Sequence, residues 1–92
     1  MSFYLKDPHS RVDYAIDWAG YLDGQIIADS AWLIAPAETG GIDIDAESFG
    51  LDRAAATLTG GIPGHVYSVT NRVTLSDGRS DERSLILRAE QR

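Results

Sequence analysis

The sequence predicts an all-β fold, an antiparallel Greek-key β-sandwich of about seven strands. Three observations lead to this prediction. Short runs of alternating apolar and polar residues recur along the chain, glycine and proline punctuate them, and no segment has the apolar periodicity of an amphipathic helix. Runs of this kind, separated by turn signals, are typical of sandwiches. The chain of 92 residues has room for one domain, residues 1–92, and no repeat or linker divides it.

The first predicted strand covers residues 11–18. Its inner face carries four apolar residues and its outer face three charged ones, Val12, Tyr14, Ile16 and Trp18 against Arg11, Asp13 and Asp17. Strict alternation of this kind indicates a half-buried strand. Residues 19–24 are predicted to form a loop whose apolar pair, Tyr21 and Leu22, folds back over one end of the core.

Three further strands are predicted in the middle of the chain. Residues 25–35 form the second strand, which ends at Pro36 because proline cannot donate to a sheet ladder. Residues 42–45 form a short strand after a Gly-Gly turn, and residues 46–52 form a connector. The Ala- and Thr-rich residues 53–59 are predicted to form a strand, because the run is too short for a good helix and two glycines follow it.

The last third of the chain predicts a β-hairpin. Strands at residues 65–75 and 81–90 flank an Asp-Gly turn, Asp77-Gly78, which is a strong hairpin signal. Asn71 falls in the otherwise apolar phase of the first of these strands. We therefore expect Asn71 to lie near an end of the core or to bond to a backbone group.

Tyr67 points to an Ig-like form of the sandwich. In Ig-like domains a tyrosine near the start of the penultimate strand bonds to a backbone group a few residues upstream. The stretch Gly64-His65-Val66-Tyr67 offers this corner, and Pro63 precedes it. We further expect Trp32, on the second predicted strand, to meet Tyr67 across the core.

Composition excludes several classes of function. The net charge of −6 argues against nucleic-acid binding, which requires a basic face. The absence of cysteine excludes disulfides and thiolate metal sites. The N-terminal residues lack a secretory signal pattern, and no segment approaches the roughly 20 apolar residues that span a bilayer. We therefore expect a soluble protein, made in the cytoplasm, that binds neither nucleic acid nor membranes.

The charge is unevenly distributed along the chain. Residues 1–52 hold ten acids and two bases, a net −8, and residues 53–92 hold four acids and six bases, a net +2. If the two segments occupied different faces, the molecule would be dipolar and suited to head-to-tail contact between copies or to docking on a charged partner. The alternative is two solvated faces with no partner.

No catalytic, cofactor or metal site is predicted. His9 and His65 are the only histidines, too few for a histidine-rich zinc site in a chain without cysteine. The sequence has no nucleophile elbow and no phosphate-binding loop followed by a helix. Asp13 and Asp17 share a strand face but lie about 13 Å apart at strand geometry, so they cannot hold one ion between them. A solvated polar face is the simpler interpretation.

Four arginines are concentrated in the hairpin, Arg72, Arg79, Arg83 and Arg88. Guanidinium groups are favoured at protein interfaces because they form forked pairs with carboxylates. We predict that these four residues contribute to a partner interface. The alternative is that they are ordinary surface arginines.

Several motifs together resemble a known family. They are Tyr4-Leu5-Lys6-Asp7-Pro8, Asp13-Tyr14-Ala15-Ile16-Asp17-Trp18, Asp23-Gly24-Gln25-Ile26-Ile27, Ser30-Ala31-Trp32, Gly60-Gly61, Gly64-His65-Val66-Tyr67-Ser68-Val69-Thr70-Asn71 and Gly78-Arg79-Ser80-Asp81-Glu82-Arg83-Ser84. Over nearly the whole chain they resemble the small tailed-bacteriophage proteins labelled fibre-tail adaptor. Residues 37–52 depart from that pattern, being more acidic and less regular.

The resemblance implies an Ig-like, non-enzymatic structural protein of a phage virion, made in the cytoplasm of the bacterial host. It implies a tail or head-tail adaptor that docks fibres or other tail components onto the virion. The implied partners are other phage structural proteins, with the chain itself a homo-oligomer or present in several copies. No catalytic residue, metal ligand or cofactor is carried over. A capsid-decoration or host-surface adhesion module is the alternative.

Overall fold

A computed structural model describes residues 2–91, so Met1 and Arg92, the two ends of the predicted domain, lie outside the described part. The described chain is built from seven β-strands and one short 3-10 helix. They are β1 (Ser2–Lys6), β2 (Val12–Asp17), the 3-10 helix (Ala19–Tyr21), β3 (Ile27–Ala35), β4 (Ile42–Phe49), β5 (Arg53–Gly60), β6 (Val66–Leu75) and β7 (Ser80–Ala89).

The strands form two sheets, ordered β1-β7-β6-β3 and β2-β5-β4. Strand β1 runs parallel to β7, and the other described pairs are antiparallel. Ig-like domains place their second, fifth and fourth strands in one sheet and their third, sixth and seventh in the other. The structure has this arrangement, with β1 joined to the second set. The predicted Ig-like β-sandwich of about seven strands is confirmed.

Alternate residues of the central strands build the core between the sheets. In β6 every second side chain from Tyr67 to Leu75 is buried, and β7 adds Leu85, Leu87 and Ala89. The opposite sheet contributes Ile16 and alternate residues of β5. Apolar burial on this pattern is the main favourable term in folding, because each apolar side chain that leaves water contributes about 1.5 to 3 kcal/mol.

Trp18 and Asn71 connect the two sheets through a buried hydrogen bond. Trp18 follows β2 directly and is 1% exposed, and its indole Nε1 donates to Asn71 Oδ1 of β6 over 2.9 Å. The Asn71 amide nitrogen donates in turn to Ser30 Oγ and to the Ala31 carbonyl oxygen. The expected backbone bond of Asn71 is thus confirmed. In antibody domains a disulfide joins the second and sixth strands, and here this hydrogen bond joins them.

The expected meeting of Trp32 and Tyr67 across the core is wrong. Both residues are buried, but β3 and β6 are neighbours in one sheet, and Trp32 is paired with Asn71. Tyr67 lies four residues away along β6, which is about 13 Å at strand geometry. The tryptophan at the centre of the core is Trp18, which the alternation of residues 11–18 places on the inner face.

Two strand assignments also differ from the sequence-based expectation. Strand β1 is not predicted, although it pairs with β7 along its whole length. Residues 46–52 are predicted as a connector, but β4 continues to Phe49. The register of β4 shifts between Ile44 and Ala46, and this bulge breaks the alternation at Asp45, which hides the second half of the strand.

The loop after β2 closes one end of the core, but only one of its two apolar residues is buried there. Leu22 is buried, whereas Tyr21 is exposed. The apolar pair therefore does not act as one unit, since Leu22 alone enters the core and the Tyr21 ring stays at its margin.

Candidate interaction surfaces

The four arginines of the predicted interface lie in three regions. Arg72 of β6 and Arg88 of β7 lie on the outer face of the four-stranded sheet, Arg79 lies in the turn between these strands, and Arg83 belongs to the inner phase of β7. Three have carboxylate partners within the chain, Arg72 with Glu82, Arg79 with Asp77 and Arg88 with Glu90. The structure does not bring all four together, and their interface role stays a prediction.

Arg83 covers the end of the core beside Trp18. Its guanidinium carbon lies 5.1 Å from the centre of the Tyr21 ring and 5.9 Å from that of Trp18. The guanidinium also donates to the Asp17 carbonyl oxygen over 3.3 Å. A cation over an exposed aromatic face contributes about 0.5 to 1 kcal/mol. Arg83 therefore holds the 3-10 segment against the sandwich.

The outer face of the four-stranded sheet carries few charges. One cross-strand row contains Leu33, Thr70 and Ser84, and the next contains Ala35, Ser68 and Ile86. Leu33 is 57% exposed and Val66 is 49% exposed. This face is mostly uncharged, and such surfaces are compatible with protein contact.

A second apolar surface lies at the end of the sandwich where the β2–β3, β4–β5 and β6–β7 loops meet. The exposed large apolar residues here are Tyr21, Ile26, Phe49 and Leu51. Backbone hydrogen bonds hold the three loops together, from Ile27 N–H to the Leu51 oxygen and from Ser76 N–H to the Ile26 oxygen, both 2.9 Å. The three loops therefore form one ordered surface, the apolar end surface.

The acidic half of the chain supplies all four edge strands. Strands β1 and β3 are the edges of one sheet and β2 and β4 the edges of the other, and all four lie within residues 1–52. The two halves of the sequence thus do not form two opposite faces. The acids lie along the edges of the sandwich, whereas the centre of each sheet comes from the more basic half.

The side of the sandwich formed by β3 and β4 is the most acidic. Residues 27–49 contain five acids and no base, Asp29, Glu38, Asp43, Asp45 and Glu47. Arg11 pairs with Asp45 over 2.7 Å. A cleft of about 410 Å³ opens on this side, and its walls include Ile34, Ile42 and Ile44 together with Glu38 and Asp43. The lining of the cleft is thus mixed, with three isoleucines beside acidic and other polar groups.

The predicted tyrosine corner is present at the end of the sandwich opposite the β2–β3, β4–β5 and β6–β7 loops. The Tyr67 hydroxyl accepts from Ile62 N–H over 3.0 Å and donates to Glu38 Oε1 over 2.6 Å. His65 Nδ1 lies 2.9 Å from the same Glu38 oxygen. Glu38, which the sequence does not single out, therefore holds the β3–β4 loop to the corner. The hydrogen bond from Tyr67, followed by that from His65, lowers the pKa of the Glu38 carboxyl.

Gly60 and Gly61 shape this corner because no side chain fits there. Their φ angles are 78° and 118°, a region that L-residues rarely adopt. A Cβ atom at Gly60 would lie 2.5 Å from the Gly41 carbonyl oxygen, and one at Gly61 would lie 2.9 Å from the Ala89 Cβ. These two glycines therefore form a tight connection after β5.

We expect Glu38→Gln to remove a pH-dependent part of the stability. A carboxyl whose pKa is lower in the folded state stabilises the fold above its unfolded pKa, and this contribution is lost as the pH falls through the folded pKa. The wild type should therefore exceed Glu38→Gln in free energy of unfolding at pH 7, and the difference should shrink below about pH 4. Urea denaturation at pH 7, 5 and 3 measures it.

The matched control is Glu47→Gln, at an exposed position of β4. The difference in free energy of unfolding between Glu47→Gln and the wild type should change little over the same pH range. A difference for Glu38→Gln that stays constant from pH 7 to pH 3 would contradict the role given to the corner.

Among residues 2–91 no group of three or more His, Asp or Glu side chains is placed to hold a metal ion. No helix of the described chain is long and apolar enough to cross a bilayer. Asp13 and Asp17 stand opposite Thr57 and Arg53 of β5, and the Asp13 carboxylate accepts from the Thr57 hydroxyl.

Comparison with known proteins identifies the family. A family model described as podophage GP4 fiber-tail adaptor protein gp77 matches residues 6–88. No curated protein matches the chain. The matched range runs from the last residue of β1 to the penultimate residue of β7. It includes the corner at Tyr67, the Trp18–Asn71 bond and all three loops of the apolar end surface. The chain belongs to the family of podophage GP4 fiber-tail adaptor proteins, as its motifs suggested.

Proposed function

We propose that this protein is a structural component of the phage virion that docks fibres or other tail components onto the tail. The observation that carries the proposal is the family match over residues 6–88. The surfaces agree with such a role, because the chain offers a weakly charged sheet face and an ordered apolar end. A protein of this kind works by fit and by electrostatic complementarity and needs no catalytic group.

The proposed partners are other virion proteins, and several copies of the chain act together. Homo-oligomers mostly have closed symmetry, and each copy then presents the same patch. Arg72 and Arg88 are the two of the predicted interface arginines that share the outer face of the four-stranded sheet. We propose that this pair contributes contacts there, while Arg83 serves mainly to close the core.

The proposal is tested on particles produced with and without this chain. With the chain present, labelled antibody should mark the tail end of the particle and fibres should be attached. Without it, heads and tails should form and fibres should be missing or loosely held. Electron microscopy of negatively stained particles measures both.

Two results would overturn the proposal. One is a chain that is absent from purified particles. The other is a chain that labels repeated sites over the capsid surface, which would identify a decoration protein in place of an adaptor.

A further inference from the structure

The four edge strands of the sandwich are not equally protected against pairing with another chain. Edge strands present unpaired backbone N–H and C=O groups, and proteins block them with charges, bulges or short length. Strand β2 carries Asp13 and Asp17, β4 carries three acids and a bulge, and β1 has only five residues. Strand β3 is nine residues long, and six of them, residues 30–35, carry no charge.

The outer edge of β3 is free in the described chain. No strand among residues 2–91 pairs with it on the side away from β6. The bulge and Asp29 lie at the beginning of the strand, where the Asp29 carboxylate accepts from Ser30 N–H over 2.9 Å. In an antiparallel ladder alternate residues direct their backbone polar groups away from the neighbour. The stretch 31–35 therefore presents backbone groups that another strand can pair with.

The charge around this edge selects the occupant. The segment 27–49 carries five acids and no Lys or Arg, and two of these acids have partners from elsewhere in the chain, Asp45 with Arg11 and Glu38 with His65. A second copy pairing through its own β3 would bring its own β4 acids to the same side, and like charges in close contact are costly. A basic extended segment meets the opposite condition, because the net negative charge of β4 would attract its Lys or Arg side chains. The cleft on this side has a mixed lining, and its Ile34, Ile42 and Ile44 would contact apolar side chains of the segment.

We infer that β3 binds an extended, basic segment of another tail protein, which adds a fifth strand to the four-stranded sheet. Backbone hydrogen bonds along β3 provide the contact, and the acids of β4 select the charge. This inference rests on the proposed function, because the segment belongs to the tail component that the adaptor holds. Trp32 of β3 provides a reporter for this binding, because it is buried and its indole N–H has no hydrogen-bond partner among residues 2–91.

The test uses two synthetic peptides and the intact protein. The first is a nine-residue peptide in which valine occupies every second position and lysine or threonine occupies the positions between. In the second peptide, glutamate replaces each lysine. Two-dimensional NMR follows the backbone amides and the two indole N–H signals during titration. The lysine peptide should shift the amides of β3 and the Trp32 indole, and the Trp18 indole, which is bonded to Asn71, should move little. The glutamate peptide should bind at least about ten-fold more weakly at low salt.

A matched pair of variants locates the contact. Leu33→Lys adds a charge on β3 at an exposed position, and Val66→Lys makes the same change on β6 at a similarly exposed position. Leu33→Lys should weaken binding of the lysine peptide by about ten-fold or more, whereas Val66→Lys should change it by less than about three-fold. Equal effects of the two variants, or shifts centred on β1 or on the apolar end surface, would overturn the inference.

Failure here is distinguishable from failure of the proposed function. Particles built with Leu33→Lys that carry fibres as firmly as the wild type would overturn the role of β3 and leave the adaptor role standing. A wild-type chain that is absent from particles would overturn the adaptor role, whatever the peptide does at β3.

Discussion

Trp18→Ala is expected to lower the free energy of unfolding by about 3 to 5 kcal/mol, the usual cost of emptying a large aromatic site. The ring is almost fully buried, packs edge-to-face on Tyr21 with centres 5.9 Å apart, and lies under the Arg83 guanidinium. The substitution also removes the donor of the bond that joins the two sheets. Asn71 Oδ1 would then be buried without its partner, which adds to the loss.

Chemical denaturation followed by circular dichroism measures this effect. Trp18→Phe keeps an aromatic ring in the core and removes the N–H together with part of the indole volume, so it retains most of the packing and none of the hydrogen bond. It should cost about 1 to 3 kcal/mol, the penalty for a buried polar group without a partner. The control is Leu51→Ala, at a residue that is 66% exposed, which should stay within about 0.5 kcal/mol of the wild type. A Trp18→Ala protein as stable as Leu51→Ala would contradict the core described above.

Lys6→Met is expected to cost about 2 to 4 kcal/mol, because a charged donor is lost from three backbone oxygens at once. Lys6 is only 2% exposed. Its Nζ donates to the carbonyl oxygens of Asp7, Ser10 and Gly60 at 2.7 to 3.0 Å. The lysine thus ties the β1–β2 loop to the end of β5. Burial lowers the pKa of its ammonium group, which shows that desolvation is the cost that these three bonds must offset.

The same denaturation experiment checks this prediction against Arg11→Met. Arg11 is the other base of the first half of the chain, and it pairs on the surface with Asp45. An exposed ion pair contributes about 0 to 1 kcal/mol, so Arg11→Met should have a small effect. If the two methionine variants were equally stable, Lys6 would be an ordinary surface lysine and the anchoring of β1 would need another explanation.

The alternation of apolar and polar residues accounts for most of the fold that could be predicted. It identifies β2, β6 and β7 almost to the residue, because each has one buried and one solvated face and the period of two is unbroken. Strand β1 escapes prediction for the opposite reason. It is short, and its partner β7 lies at the far end of the chain, so no local turn signal announces the pairing.

The core centre was harder to predict than the strands. Both tryptophans stand on inner faces, and sequence alone does not tell which sheet each one joins. Pairing β3 with β6 puts Trp32 and Tyr67 in the same sheet, with Trp32 opposite Asn71 and four residues from Tyr67 along the ladder, which leaves Trp18 to cross between the sheets. Asn71 is the single polar residue in the apolar phase of β6. Its position is the signal in the sequence for a polar partner that reaches it from the other sheet.

The candidate surfaces show the limit of reasoning from sequence proximity. Four arginines within one hairpin suggest a cluster, but the strand period sends Arg72 and Arg88 outward and Arg83 inward, and the turn carries Arg79 away from both. Lys6 and Glu38 give no signal in the sequence, because Lys6 bonds to the Gly60 carbonyl oxygen of β5 and Glu38 to the Tyr67 hydroxyl of β6, both far along the chain. Tertiary structure alone brings these groups together.

A reconstruction of the intact particle at a resolution that shows β-strands tests the central claim most directly. The account predicts that this sandwich lies between the tail and a fibre or another tail protein, in several symmetry-related copies, with an extended segment of the neighbour paired along β3. A sandwich found on the capsid lattice, or a particle that lacks this chain entirely, would contradict it.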